Sequence, residues 1–169
     1  MGRGDAPDAV RLEGVPARLF VESQNHQHDL LRELALIDLG QRFDLVEQPP
    51  TRRVADLIAA IHHEYADVRS STREQALDAL GRGQDTVDLV VPVRAGMAAA
   101  LRRWLQLVDD ADVLCGEGAL LTLAASPEVR RLRRWYVHTL VACLEGDRGE
   151  RVAVYPSTEG PTGAGAATG

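Results

Sequence analysis

The sequence predicts a mainly helical protein of the α+β class: an N-terminal antiparallel helical hairpin, then a small strand–helix–strand–helix subdomain. Three observations predict it. Apolar residues recur at helical spacing in four stretches, around 16–39, 54–68, 97–108 and 129–144. One run, TVDLVVPV (86–93), is β-branched and partly alternating, as a strand is. Turn-forming segments, QRFDLVEQPP, GRGQD and CGEG, separate these stretches.

The first helix is expected from Pro16 to Leu39, with Pro16 suited to its first turn and Gly40 to its end. Thr51 can cap a second helix whose stripe is Val54, Leu57, Ile58, Ile61, Tyr65 and Val68. A short third helix follows, with Ser71 and Glu74 at capping-box spacing, Leu77 and Leu80 packing, and Gly81 as its stop. Two long helices joined by a short loop most simply form an antiparallel hairpin. In the second half, Pro92 places the end of the 86–93 strand at a sheet edge or terminus. A helix over Ala95–Val113 carries Met97, Leu101, Trp104, Leu105 and Val108 on one face, and Ala119–Leu123 reads as a second short strand. Ser126-Pro127-Glu128 starts the last helix with a capping hydroxyl, a first-turn proline and an acid beside the helix dipole. That helix packs through Val129, Leu132, Tyr136, Leu140 and Cys143 or Leu144.

The expected organisation is a disordered 1–14, a hairpin over 15–83, an α+β unit over 84–146 and a disordered tail over 147–169. Both ends are poor in large apolar side chains, and the tail is rich in Gly, Ala, Thr and Pro.

Composition narrows the function. The chain has 169 residues, 45% of them apolar but only 4% aromatic, so Leu, Val and Ala do most of the packing. Every one of its 19 basic residues is Arg, and the net charge of −6 argues against broad nucleic-acid binding. Cys115 and Cys143 make no disulfide framework and no paired metal motif, which fits a reducing compartment. Neither a signal-peptide run nor an apolar stretch of membrane-spanning length stands out, so a cytoplasmic protein with no membrane partner is expected.

The stretch QNHQHDLLRELALI (24–37) raises the functional question. Leu30, Leu31, Leu34 and Ile37 define a buried face that extends back through Leu19, Phe20, Ser23 and Gln27. His26 falls at its margin, whereas His28 projects roughly 130° from its centre, near Asn25 and Arg32. The two histidines therefore cannot ligate one metal from a regular helix, and neither metal nor cofactor is expected. An exposed His28 followed by Asp29 has the parts a phosphoacceptor needs: a reachable imidazole and a carboxylate able to hold its tautomer. A solvated surface histidine has the same appearance.

His28-Asp29-Leu30-Leu31-Arg32-Glu33-Leu34-Ala35-Leu36-Ile37 resembles the histidine box of sporulation-initiation phosphotransferases and citrate/fumarate-type sensor kinases. That box begins His-Asp, continues with two apolar residues, and has Leu and Ile where Leu34 and Ile37 stand. The resemblance implies a homodimer whose hairpins form a four-helix bundle, with His28 as outward-facing phosphoacceptor and Asp29 as its neighbour. It departs from the family's pattern at Arg32, where an Asn is usual. In overall pattern the chain also resembles small actinobacterial proteins found with anti-sigma-factor and phosphatase switch systems. GRGQD (81–85) and CGEGA (115–119) match no nucleotide-binding motif, so kinase activity is not expected.

VRRLRRWYVH (129–138) reads as a solvated helix face partly paired with the acids of DDAD (109–112), and Trp104 and Trp135 as helix contacts. His62 reads as a boundary residue and His63 as a solvated one. The functional expectation is a signal-transduction regulator that docks a response-regulator-like or anti-sigma-type protein around His28, with Asn25, Asp29 and Arg32 lining the surface. The alternative is an adaptor with no chemistry at His28.

Overall fold

The computed structural model describes residues 9–42, 63–146 and 151–156. In chain order the elements are β1 (Ala9–Pro16), α1 (Ala17–Arg42), α2 (Ala66–Gly81), β2 (Thr86–Pro92), α3 (Met97–Gly116), α4 (Pro127–Glu145) and β3 (Val152–Val154). The fold is mixed α+β, with helices predominating around one three-stranded sheet ordered β2-β1-β3. None of the described helices is long and apolar enough to cross a membrane.

The order of elements differs from the expected one in three places. Residues 9–14, expected to be loose, form most of β1, the central strand, which pairs antiparallel with β2 and parallel with β3. The inward residues of β1 are Val10, Leu12 and Val15, a spacing that breaks period-two alternation. A bulge between Leu12 and Val15 absorbs the extra residue, so that Val15 faces the core again opposite Val87. Gly14 takes the positive φ (67°) that this bulge needs, and its N–H donates to Asp88 Oδ1 at 3.0 Å.

The second difference is β3, which lies in the expected tail. It is anchored by Arg11 N–H donating to the Arg151 carbonyl and Tyr155 N–H to the Glu13 carbonyl. Tyr155 then sets its ring edge-on against Trp135 at 4.8 Å. The third is Ala119–Leu123, which forms no strand. Leu120 is buried, but Leu121 and Leu123 stand in solvent.

β2 is an edge strand, and α2 guards it. The Gln75 side chain accepts from Val90 N–H at 2.8 Å and donates to the Val90 carbonyl at 3.0 Å, occupying backbone groups that an intruding strand would use. One sheet face is buried: Val10, Leu12, Val15, Val87, Leu89 and Val91 pack with Phe20, Val68, Ala76, Ala79, Leu132 and Leu140 from the helices. The other face carries the exposed Arg11–Asp88 pair.

α2 runs unbroken through Ser71, so Ser71 and Glu74 do not start a helix as expected. Within a helix, residues three and four apart share a face whether or not a helix begins there. Gln75 Nε2 donates to Ser71 Oγ at 3.4 Å, and the Thr72 hydroxyl turns back to the Val68 carbonyl at 3.0 Å. The arm expected over 51–62, including His62, lies outside the described residues. α4 starts as its sequence predicts, with Pro127 in the first turn and Ser126 Oγ accepting from Val129 N–H at 3.2 Å. α3 and α4 pack antiparallel through Leu105, Val137 and Val141, with Arg102 near the start of α3 paired to Glu145 at the end of α4.

Candidate functional site

α1 is long enough to serve two cores. Its first half packs on the sheet through Ala17 and Phe20. Its second half joins Leu30 and Leu34 to Leu107, Val108, Ala111, Cys115 and Leu120. Between these lies the face that begins at Glu22, and the loop 117–126, which connects α3 to α4, closes against it.

Four polar attachments hold that loop. Glu33 accepts from Leu121 N–H at 2.5 Å and from Thr122 N–H at 2.7 Å. His26 Nε2 lies 2.9 Å from the Leu123 carbonyl. A carbonyl only accepts, so Nε2 carries the proton; in the neutral ring Nδ1 is then a lone pair, and it is buried without a partner. Asp112 Oδ1 accepts from Ala125 N–H at 3.1 Å and lies 3.5 Å from His26 Nε2. Ser126 completes the set as the α4 cap. Burial raises the Glu33 pKa, but the hydrogen bonds from Thr122 and Leu121 outweigh it and hold the carboxyl below the usual glutamate range.

Asp112 links this loop to a buried charge. Its other oxygen pairs with Arg133 Nη2, and both side chains are almost wholly enclosed. Asp109 lies 3.5 Å from Arg133 and is held in turn by Arg134 at 3.0 Å. The four charges balance. Removing a guanidinium and a carboxylate from water is costly, and their attraction offsets that cost only when geometry and hydrogen bonding are good. Here Asp112 is satisfied on both oxygens, whereas Arg133 Nε and Nη1 are buried with no partner.

The residues singled out from sequence separate in space. Asn25, Asp29 and Arg32 line the groove between α1 and the loop, together with Glu22, His26 and Leu36. His28 is exposed, as expected, but it does not line that groove. No hydrogen bond or ion pair joins His28 to Asp29 among the described residues, so nothing there fixes the imidazole's tautomer. His63 is exposed, and the predicted pairing of DDAD with the arginine run occurs at Asp109–Arg134 and Asp112–Arg133. No cluster of His, Cys, Asp or Glu among the described residues is arranged to hold a metal ion.

Sequence reasoning missed that Arg133 and Asp112 are buried, and it missed Glu33. A signal for the first exists: Val129, Leu132, Val137 and Leu140 form the buried stripe of α4, and Arg133 falls inside it. A charge within an apolar stripe implies a buried partner. Glu33 carries no comparable signal, because its partners are backbone amides 88 and 89 positions away.

No family model, curated protein or solved structure matches this chain.

Proposed function

We propose that the chain is a regulatory docking protein that receives a partner in the groove between α1 and the loop 117–126. One observation carries the reading: Leu36, Leu121 and Leu123, exposed by 62%, 93% and 83%, all flank the same groove. Single exposed leucines are ordinary, but three beside one concave surface make the apolar centre of an interaction site. Glu22 and Asp29 place acidic groups beside it. The surface fits an amphipathic helix that sets apolar side chains among the leucines and an Arg or Lys against the carboxylates. A response-regulator-like or anti-sigma-type protein is the partner class implied by the resemblance of residues 28–37.

The test uses the full chain as bait in its native host, comparing it with the paired change Leu121→Glu/Leu123→Glu and with His28→Ala. Both leucines are solvated, so the paired change keeps the helical circular dichroism. The expected result is a defined partner that cross-links to α1 or to the loop and is lost with the leucine pair. A partner list unaffected by the leucine pair overturns the proposal.

The exposure of His28 supports a second reading, in which it accepts phosphate while the partner is docked beside it. Acid-labile phosphate on His28, together with loss of signalling but not of docking in His28→Ala, is its expected signature. Absence of that phosphate in the loaded complex leaves the adaptor. The bundle-forming homodimer belongs to the same resemblance, and light scattering of the purified chain tests it by mass.

A further inference from the structure

We propose that a cavity between α1, α2, α3 and α4 binds a small neutral carboxamide with a short branched apolar body, of isobutyramide to isovaleramide size. The cavity is about 100 Å³ and shares no lining residue with the docking groove. An apolar cavity of roughly 150 Å³ is known to hold a benzene ring, so the smaller space here suits a branched aliphatic group. Phe20, Val68, Met97, Leu101, Trp104 and Leu132 supply the apolar surface that covers it.

Two buried polar residues of the lining set the other end of the ligand. Arg133 is 2% exposed and Gln24 7%, yet Arg133 Nε, Arg133 Nη1 and Gln24 Oε1 have no hydrogen-bond partner. The two nitrogens are donors, and the amide oxygen is an acceptor. Thr72 fixes which end of the Gln24 amide is left over. Its hydroxyl donates to the Val68 carbonyl at 3.0 Å, so towards Gln24 it can only accept, from Nε2 at 3.4 Å. Oε1 is therefore the unmatched end. Buried polar atoms without partners are costly, and a group seated in the cavity can match them.

The ligand class follows from needing an acceptor and a donor together. Arg133 and Arg134 are already balanced by Asp109 and Asp112, so the guanidinium needs a hydrogen-bond acceptor and not a counter-ion. Arg69, which also lines the cavity, has interactions of its own. A carboxylate offers acceptors but no donor, and it sets negative charge against Gln24 Oε1. A ketone leaves Oε1 unmatched as well. A carboxamide has both functions on separate atoms: its carbonyl oxygen accepts from an Arg133 N–H on α4, and its N–H donates to Gln24 Oε1 on α1.

Titration of the isotope-labelled full chain at neutral pH, read by NMR at the Trp104 indole N–H, tests this. Trp135, packed on Tyr155 and absent from the lining, is the internal reference. Isobutyramide is compared with methyl isopropyl ketone and isobutyrate, and isovaleramide with methyl isobutyl ketone and isovalerate, each set nearly equal in shape. The carboxamides are expected to shift Trp104 saturably and to bind roughly tenfold tighter than ketone or acid, the factor one buried hydrogen bond makes. In Gln24→Met, which keeps the length of the side chain and removes the acceptor, that advantage is expected to vanish. Failure of both carboxamides to bind overturns the proposal, as do equal affinities for carboxamide and ketone, or an acid that binds as tightly as its carboxamide. An advantage retained in a folded Gln24→Met chain overturns it too. Should that variant not fold, the carboxamide-to-ketone ratio on the unaltered chain decides the question in its place.

Discussion

The two halves of α1 rest on different kinds of support. Ala17 and Phe20 sit in a dry layer of valines and leucines against the sheet, where contacts are numerous and non-directional. Further along, beside Leu30 and Leu34, His26 and Glu33 hold a loop by a few directed bonds, backed by the enclosed Asp112–Arg133 pair. The apolar layer tolerates change in proportion to the volume altered. The polar clasp has few members, each with a partner that cannot be left alone. Fold and loop position are thus secured by different physics, and substitutions can separate them.

The largest effect is expected in the clasp. Asp112→Ala leaves Arg133 charged and enclosed without its closest counter-ion, and urea unfolding should show a loss of about 3–5 kcal/mol. Replacing both members, Asp112→Leu with Arg133→Met, should restore most of that loss; a double variant as unstable as the single one would mean that the charge is not the cause. Next comes the apolar layer: Leu12→Ala, at a fully buried position, should cost about 3 kcal/mol. It should do so without selectively speeding amide exchange at Leu121 and Thr122, and selective acceleration there would erase the distinction between the two regions.

Glu33→Gln probes the clasp more gently, with a stability loss of about 1 kcal/mol and faster exchange at Leu121 and Thr122. Because the folded Glu33 pKa lies below its unfolded value, its contribution is complete above the ordinary glutamate range. It is lost as pH falls through the lower, folded value. Acid should therefore loosen the loop in the unaltered chain but have little further effect in Glu33→Gln. The smallest effect is chemical: burial, then Asp112 and Glu33, push the Cys115 thiol up to about 11, so it stays protonated at neutral pH. Alkylation followed by mass spectrometry should find Cys115 slower than Cys143, and faster in Glu33→Gln than in the unaltered chain.

The same contrast explains what could be read from the sequence. α3, α4 and β2 were legible because their apolar periods are regular and Ser126-Pro127 carries its capping chemistry locally. β1 was not, since the bulge at Glu13-Gly14 shifts Val15 out of the period that a strand displays. The leucines of 119–123 suggested a strand because an apolar run does not reveal that side-chain bonds from α1, and not a sheet edge, receive its backbone. At the candidate site, the outward direction of His28 and the marginal position of His26 followed from helical geometry alone. The groove beside Asn25, Asp29 and Arg32 did not, because its second wall comes from nearly a hundred residues later in the chain.

The position of β1 also bears on how the molecule is made. A ribosome delivers this strand among the first residues of the fold, yet its neighbour β2 follows α2, and β3 follows every described helix. The central strand must wait, its valines and Leu12 uncovered, until β2 and then β3 have been made. Closure of the sheet therefore follows synthesis of every described helix, and until β2 emerges the strand is unpaired and open to chaperones.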